Sequence, residues 1–470
     1  MTRTLLALVA LLSSGLAQAA DHTFSSTTFF RGYVRPGQND VAQHLPFYEL
    51  VRLTATDLGV AGLSIQASLW GQLEVLDKTP PDGRATGDVN VLLLRYEAPE
   101  KSRARGLELQ LGRQFTSLGP SLYEQFDGLS VSYRSPFRLD FSLFGGMPTG
   151  TRFIRQSWPI ASDDLEYGYN WVAGGRLAYR MGRFGVLGVS YRQERLHGRM
   201  AFHDLGWDGS IYPIERLELL GDAVLDLSTS QLKEARAAAK VEILHGLDLG
   251  AGYRFTAPNL FIPQSSIFSV FSNEVHQQIY GELYWAITRR LDWTTEAGAV
   301  LFGDACLRGT GGVGQQCESA TELRLETRAN LRLGLERQHR LTAEVERVGS
   351  DEGGFVRFRV AGATRLHERV SLIADVDLYR LDEPGGRYYI AGDSQTRWSF
   401  AGSGYLNFVL RQNVMLLAGG QALVTPLLSK GGAFTLRLTW LLDSQPPKGA
   451  STQVARSALS ATSIARGGAL

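Results

Sequence analysis

Between residues 322 and 333 the chain alternates with period two. Glu322, Arg324, Glu326, Arg328, Asn330 and Arg332 fall on one set of positions, and Leu323, Leu325, Thr327, Ala329, Leu331 and Leu333 on the other. Successive side chains of a strand point to opposite faces, so as a strand this segment has one charged face and one apolar face. The same alternation runs through residues 63–75, where Leu63, Ile65, Ala67, Leu69, Leu73 and Val75 oppose Ser64, Gln66, Ser68, Trp70, Gln72 and Glu74. It returns at 137–144, 247–255, 291–301, 370–379 and 434–440. A chain built of so many two-faced strands must give every apolar face an apolar neighbour at once.

Two architectures do so: a soluble sandwich, whose apolar faces meet each other, and a transmembrane barrel, whose apolar faces meet lipid while the polar faces line a lumen. Segment length favours the barrel, because sandwich strands average about five or six residues and a tilted membrane strand needs about ten. The connections point the same way. Short ones, such as residues 134–136, 181–184, 245–246, 288–290, 336–339 and 411–413, alternate with long ones at 76–87, 147–170, 257–274, 303–319 and 382–396. Short turns on one side of the membrane and long loops on the other give that asymmetry. Tyr133, Phe137, Trp293, Trp398 and Trp440 stand where strands are expected to meet the headgroups, the level that amphipathic rings prefer. The expected fold is all-β: an antiparallel up-and-down transmembrane barrel of 18 to 22 strands without a plug domain, since residues 23–34 already read as a strand. The segment 232–240 (LKEARAAAK) has helix-forming composition, yet Glu234, Arg236, Ala238 and Lys240 alternate with Ala235, Ala237 and Ala239 and read as a strand.

Residues 1–19 read as a cleaved secretory signal, with Arg3, an apolar run over 5–12 and Ala17-Gln18-Ala19 as the cleavage site. The barrel is expected to occupy 20–442, and the Ser/Ala/Gly-rich stretch 443–470 to be a disordered tail. Lys+Arg 48 against Asp+Glu 47 leaves a net charge of +1, which argues against a nucleic-acid partner. The two cysteines, Cys306 and Cys317, flank a Gly-rich loop in a chain expected to leave the cytosol, so a disulfide worth ~2 to 3 kcal/mol is expected. Two thiols without a nearby His do not complete a zinc shell, and neither metal nor cofactor is expected.

A barrel of this size encloses an aqueous space rather than filling itself with side chains. The residues expected to line it are Arg52, Trp70, Glu74, Arg254, Glu282, Glu322, Arg324, Glu326, Arg328, Arg332, Arg357, Arg359, Asp375, Asp377 and Arg437. Rows of guanidinium and carboxylate groups set a field across a pore; they also pair across strands and stiffen the wall. Trp70, Tyr280, Tyr284 and Tyr379 add flat rings to the same faces. Catalysis is not expected: there is no G-x-S-x-G elbow, P-loop or H-E-x-x-H helix. Asp163-Asp164 and His203-Asp204, assigned to or near long loops, do not have the spacing of rim proteases.

Leu111-Gly112-Arg113-Gln114, followed by Phe126-Asp127-Gly128 and the strand to Tyr133, resembles a hairpin repeated in large proteobacterial porin-like barrels, alginate-export types included. With Phe144-Gly145-Gly146-Met147-Pro148 and residues 266–271, the chain is similar to barrels of myxobacterial exopolysaccharide secretion pathways. That resemblance implies a conduit for a cell-surface polysaccharide in the outer membrane, working beside a periplasmic polysaccharide-export protein. A solute porin and a closed structural or adhesive barrel are the alternatives. Ser429, Gly431, Phe434 and Leu436 resemble the terminal signal read by the barrel assembly machinery, although here a tail follows it.

Overall fold

The computed structural model describes residues 21–36, 41–76, 85–120, 123–149, 170–196, 198–257, 275–302, 321–334, 338–350, 353–382, 398–424 and 431–443. The expected signal segment, the tail beyond Asp443, both cysteines, Asp163-Asp164 and residues 266–271 lie outside them.

All strands join one antiparallel sheet, each paired with its neighbours in sequence. The first strand, Asp21–Pro36, pairs with the last, Gly431–Asp443, from Thr23 opposite Asp443 to Val34 opposite Gly432, and so the sheet closes on itself. The short strand Val41–His44 pairs with the far end of Asp21–Pro36 and is continued past Leu45 by Pro46–Thr56. Counting these two pieces as one gives a closed barrel of 22 strands, the upper end of the expected range. Among the described residues the only helical turn is the 3-10 turn Gly182–Phe184. The segment with helix-forming composition is the strand Gln231–Leu244: Ala235, Ala237 and Ala239 point outward, and Glu234, Arg236, Ala238 and Lys240 point inward.

The apolar faces look outward. Leu323 is 65% exposed and Leu325 48%, whereas Glu344 and Glu346, inward on the neighbouring strand, are 4% and 6% exposed. This is the inverse of a soluble core, and it is stable only where hydrocarbon replaces water outside the barrel. Tyr133, Trp293, Trp398 and Trp440 are among the exposed outer rings.

Both chain ends of the described barrel lie on one side, which carries turns such as the one between Leu244 and Leu247. The opposite side carries the long connections. The expected strict alternation of short and long does not hold there: Leu196 is followed by Arg199, Asp226 by Gln231 and Ser350 by Gly353 across connections as tight as turns. Local turn chemistry sets hairpin length, so barrel topology does not demand a long loop at every crossing.

Candidate functional site

The ladder between Ala85–Glu97 and Leu107–Ser117 stops half way. Its pairs run from Glu97 opposite Glu108 to Leu92 opposite Arg113, and there they end although both strands continue. Residues 85–91 stay paired with Leu63–Glu74, and residues 113–117 stay paired with Tyr123–Arg134. The hairpin made by Leu107–Ser117 and Tyr123–Arg134 has therefore left the wall.

A row of glycines allows the departure. Gly112 stands opposite Gly128, and Gly128 opposite Gly146. Gly112 has φ +122°, and a Cβ there would sit 2.1 Å from the Leu92 carbonyl oxygen. At Gly128 and Gly146 a Cβ would come 2.2 Å from the Gly145 oxygen and 2.3 Å from the Asp127 oxygen. Side chains are excluded from this crease, so the strands bend where a pleated ladder would otherwise hold them straight. Gly112→Val is expected to cost about 2–3 kcal/mol through strain and backbone collision, read as a lower midpoint of heat-induced mobility shift on cold SDS gels. An unchanged midpoint would refute the crease.

The bent hairpin leans inward across its neighbours. Phe126, fully buried, packs on Phe144 with ring centroids 5.2 Å apart, and Val172 and Leu118 complete the cluster. Beyond it, Gly119 approaches Ser190 and Asp208, four and five strands round the barrel from Leu107–Ser117. Glu124 meets Arg192 at 2.6 Å. Arg192 also donates to Glu194, and Lys233 meets Asp204 at 3.0 Å. The Phe202 ring lies under both cations, 4.3 Å from the Arg192 guanidinium carbon and 4.7 Å from Lys233 Nζ. All five charged side chains are at most 10% exposed. An ionic cluster so deep, with every charge facing an opposite one and roofed by the hairpin, works as a latch that holds the tip against the wall.

The opposite wall is ionic as well. Counting from Asp21–Pro36, Thr321–Leu333 is the sixteenth strand of 22 and Leu107–Ser117 the fifth, half the circumference away. Arg324 reaches Glu346 at 2.9 Å and Glu326 at 3.3 Å, and Arg328 reaches Glu326 at 2.6 Å and Glu344 at 3.0 Å. Arg357 joins Asp377 at 2.7 Å, Glu344 at 3.2 Å and Glu346 at 3.4 Å. Arg359 pairs with Asp375, and Arg332 with Asp292. Four glutamates, Glu282, Glu296, Glu326 and Glu346, stand directly opposite one another on successive strands. Like charges in register repel; Arg324 meets the last two directly, while Glu296 feels Arg324 and Arg254, and Glu282 feels Lys240, without direct contact. Glu282 and Glu296 have no ion pair among the described residues; Gln278 donates to Glu296 at 3.4 Å.

Seven to ten places round from these two glutamates, the inward face carries Arg437, Arg31 and Arg52 on three successive strands. None of the three has an ion-pair partner among the described residues. Phe29 and Tyr48 stack beside them, centroids 4.4 Å apart and planes 11° apart.

The residues singled out in the sequence as lumen-lining share the register face opposite the exposed leucines, and their surroundings differ. Arg324, Glu326, Arg328, Arg357, Asp377, Arg359 and Asp375 come together in the ionic wall, with Arg332 near its turn-side end. Glu322 lies buried at the other end, and Arg254 and Glu282 continue the wall onto neighbouring strands. Trp70 and Arg52 belong to the arginine side. Glu74 is buried and accepts the backbone N–H groups of Leu45 and Leu76, so it secures a strand end. His203-Asp204 is not in a loop: both residues lie in the strand Arg199–Ile214, facing opposite ways, with Asp204 in the latch. The latch residues Glu124, Arg192, Glu194 and Lys233 were not anticipated. Arg192-x-Glu194 shows in the alternation, but the Glu124 contact joins strands three apart and leaves no mark in sequence spacing.

No protein-family model matches the chain, and no curated protein matches it by sequence. Among solved structures, it is similar to the siderophore receptor PirA from Pseudomonas aeruginosa, with 13% identity over 90% of this chain and 81% of that one at a TM-score of 0.58. The ferric enterobactin receptor PfeA mutant of the same organism gives 12%, 89%, 80% and 0.54. The outer membrane protein OpdK of that organism covers 90% of this chain and 99% of its own at 10% identity, with a TM-score of 0.42. At these identities the likeness is one of fold, that of a large outer-membrane-type barrel.

Proposed function

We propose that this chain is an outer-membrane pore for passive, selective diffusion of small polar solutes, favouring those that carry both charges. The observation behind this reading is the latched hairpin. A 22-strand barrel encloses a wide space, and a segment folded inward and fixed at Arg192 narrows it on one side. The remaining passage runs between Glu282 and Glu296, which make no ion pair among the described residues, and Arg31, Arg52 and Arg437, which likewise make none. A zwitterion aligned in such a transverse field keeps its interaction with both walls while it sheds part of its hydration. The flat Phe29–Tyr48 stack and inward Trp70 supply apolar contact along the arginine side.

Polysaccharide export rests on the motif resemblance alone, and a narrowed lumen suits a small solute better than a polymer. The glycine motifs that carried the resemblance build the crease and hairpin. The reading is tested by swelling of proteoliposomes in isosmotic glycine, glucose and gluconate. Glycine is expected to enter fastest, and that lead is expected to shrink in Arg437→Gln. Equal rates for the three solutes would remove the selectivity; no swelling at all would leave a closed structural barrel.

A further inference from the structure

Where the hairpin leaves the wall, side chains close the barrel instead of backbone. The inner edge of residues 88–90 has lost its strand partner. The Val89 carbonyl accepts from Arg113 Nη1 at 2.9 Å, and the Asn90 carbonyl from Gln125 Nε2 at 2.7 Å. Arg113 is gripped by Asp127 through two bonds of 2.7 and 2.8 Å, and by Asp88 at 3.0 Å. Asn90 is itself the extra residue of a bulge, which turns this edge further from the regular ladder.

The gap lies at membrane depth. It opens just past Arg113, six residues along the strand from Leu107 at the turn side, and continues to Ser117. At about 3.3 Å per residue along a tilted strand, that is the upper half of an apolar band of about 25 Å. Exposed outward leucines surround its lower rim: Leu92 and Leu94 on one strand, Leu111 on the next and Leu129 beyond. Hydrocarbon thus meets a doorway whose filling is one arginine, two aspartates, one glutamine amide and two backbone carbonyls.

We infer that this gap is a side portal, through which a single-chain amphiphile with an uncharged, hydroxyl-rich head passes between the lumen and the outer leaflet. The chain would lie against the leucine rim while the head exchanges hydrogen bonds with Arg113, Gln125 and the freed carbonyls of Val89 and Asn90. Asp88, Asp127 and Arg113 together carry one net negative charge, which disfavours an anionic head. Side-chain hydrogen bonds are exchanged one at a time, whereas a backbone ladder opens only cooperatively. A wall closed by side chains is therefore one that a ligand opens locally. This rests on the lumen being an open passage, as proposed above.

The test uses the full-length protein in liposomes containing decyl glucoside labelled on its sugar with nitrobenzoxadiazole, with serum albumin, far too large for the lumen, added outside. Probe reaching the outer surface from the inner leaflet or interior is extracted by the albumin and its fluorescence drops. Wild-type protein is expected to speed the slow phase over protein-free liposomes, Arg113→Ala to speed it by about a further tenfold, and Asn90→Trp, which fills the gap, to slow it. Heat-dependent gel mobility confirms that each variant is folded. The same label on glucose, without a chain, reports the aqueous passage separately. Labelled glucose passing while the amphiphile moves no faster than in bare liposomes overturns the portal and leaves the pore. Protein-dependent amphiphile transfer that neither substitution changes also overturns it, by placing the route elsewhere. Amphiphile transfer sensitive to both substitutions, with labelled glucose excluded, keeps the portal and a lumen that admits the amphiphile, and rejects free diffusion of small polar solutes.

Discussion

Arg192→Met is expected to raise single-channel conductance in planar bilayers and to cost the barrel about 3–5 kcal/mol, the usual effect of removing one partner from a buried ion cluster. In the native protein Arg192 meets Glu124 on the hairpin and Glu194 and Asp204 on the wall. Its removal leaves three carboxylates against Lys233 alone, all nearly dry. The least costly relief is for Glu124 to return to water, which carries the hairpin tip away from Ser190 and Asp208 and widens the passage. Glu124→Gln keeps the side-chain shape and removes one of the three negative charges, so it is expected to widen the pore less and to be tolerated better. A folded Arg192→Met protein with wild-type conductance would show that the latch does not set the passage width.

Period-two alternation made the barrel legible because lipid and lumen demand opposite chemistry of alternate residues, and each strand records that demand locally. Even 232–240 obeyed it: in the sheet, Glu234 and Arg236 reach the lumen while Ala235 and Ala237 meet lipid, so tertiary context overrides helix propensity. The ionic wall was legible as a set of residues but not as a network, since cross-strand register decides that Arg357 bonds Asp377 and not its direct neighbour Tyr379. The latch and the broken ladder were not legible. Gly112, Gly128 and Gly146 stand in motifs visible in the sequence, but only register shows that they form one row, and Glu124 and Arg192 meet only because that alignment bends the hairpin inward. What the sequence conceals is what depends on a departure from the repeating pattern.

Arg357 is the second position where a large effect is expected. It lies among Asp377, Glu344 and Glu346, all mostly buried, and against the Tyr379 ring at 5.3 Å. Arg357→Gln removes the cation that lets these carboxylates stand together and adjoins the end of the in-register row from Glu282 to Glu346. The expected cost is about 3 kcal/mol in the heat-modified gel assay, with the reversal potential under a salt gradient moving towards cation selectivity. Two companions separate charge from geometry. Arg357→Lys keeps the charge but loses the planar fork on Asp377, so selectivity should hold while stability falls. Glu344→Gln added to Arg357→Gln removes one of the stranded carboxylates and should restore part of both. Should Arg357→Gln weaken the barrel without moving the reversal potential, the wall would be structural only, and selectivity would have to come from Arg31, Arg52 and Arg437 on the facing side.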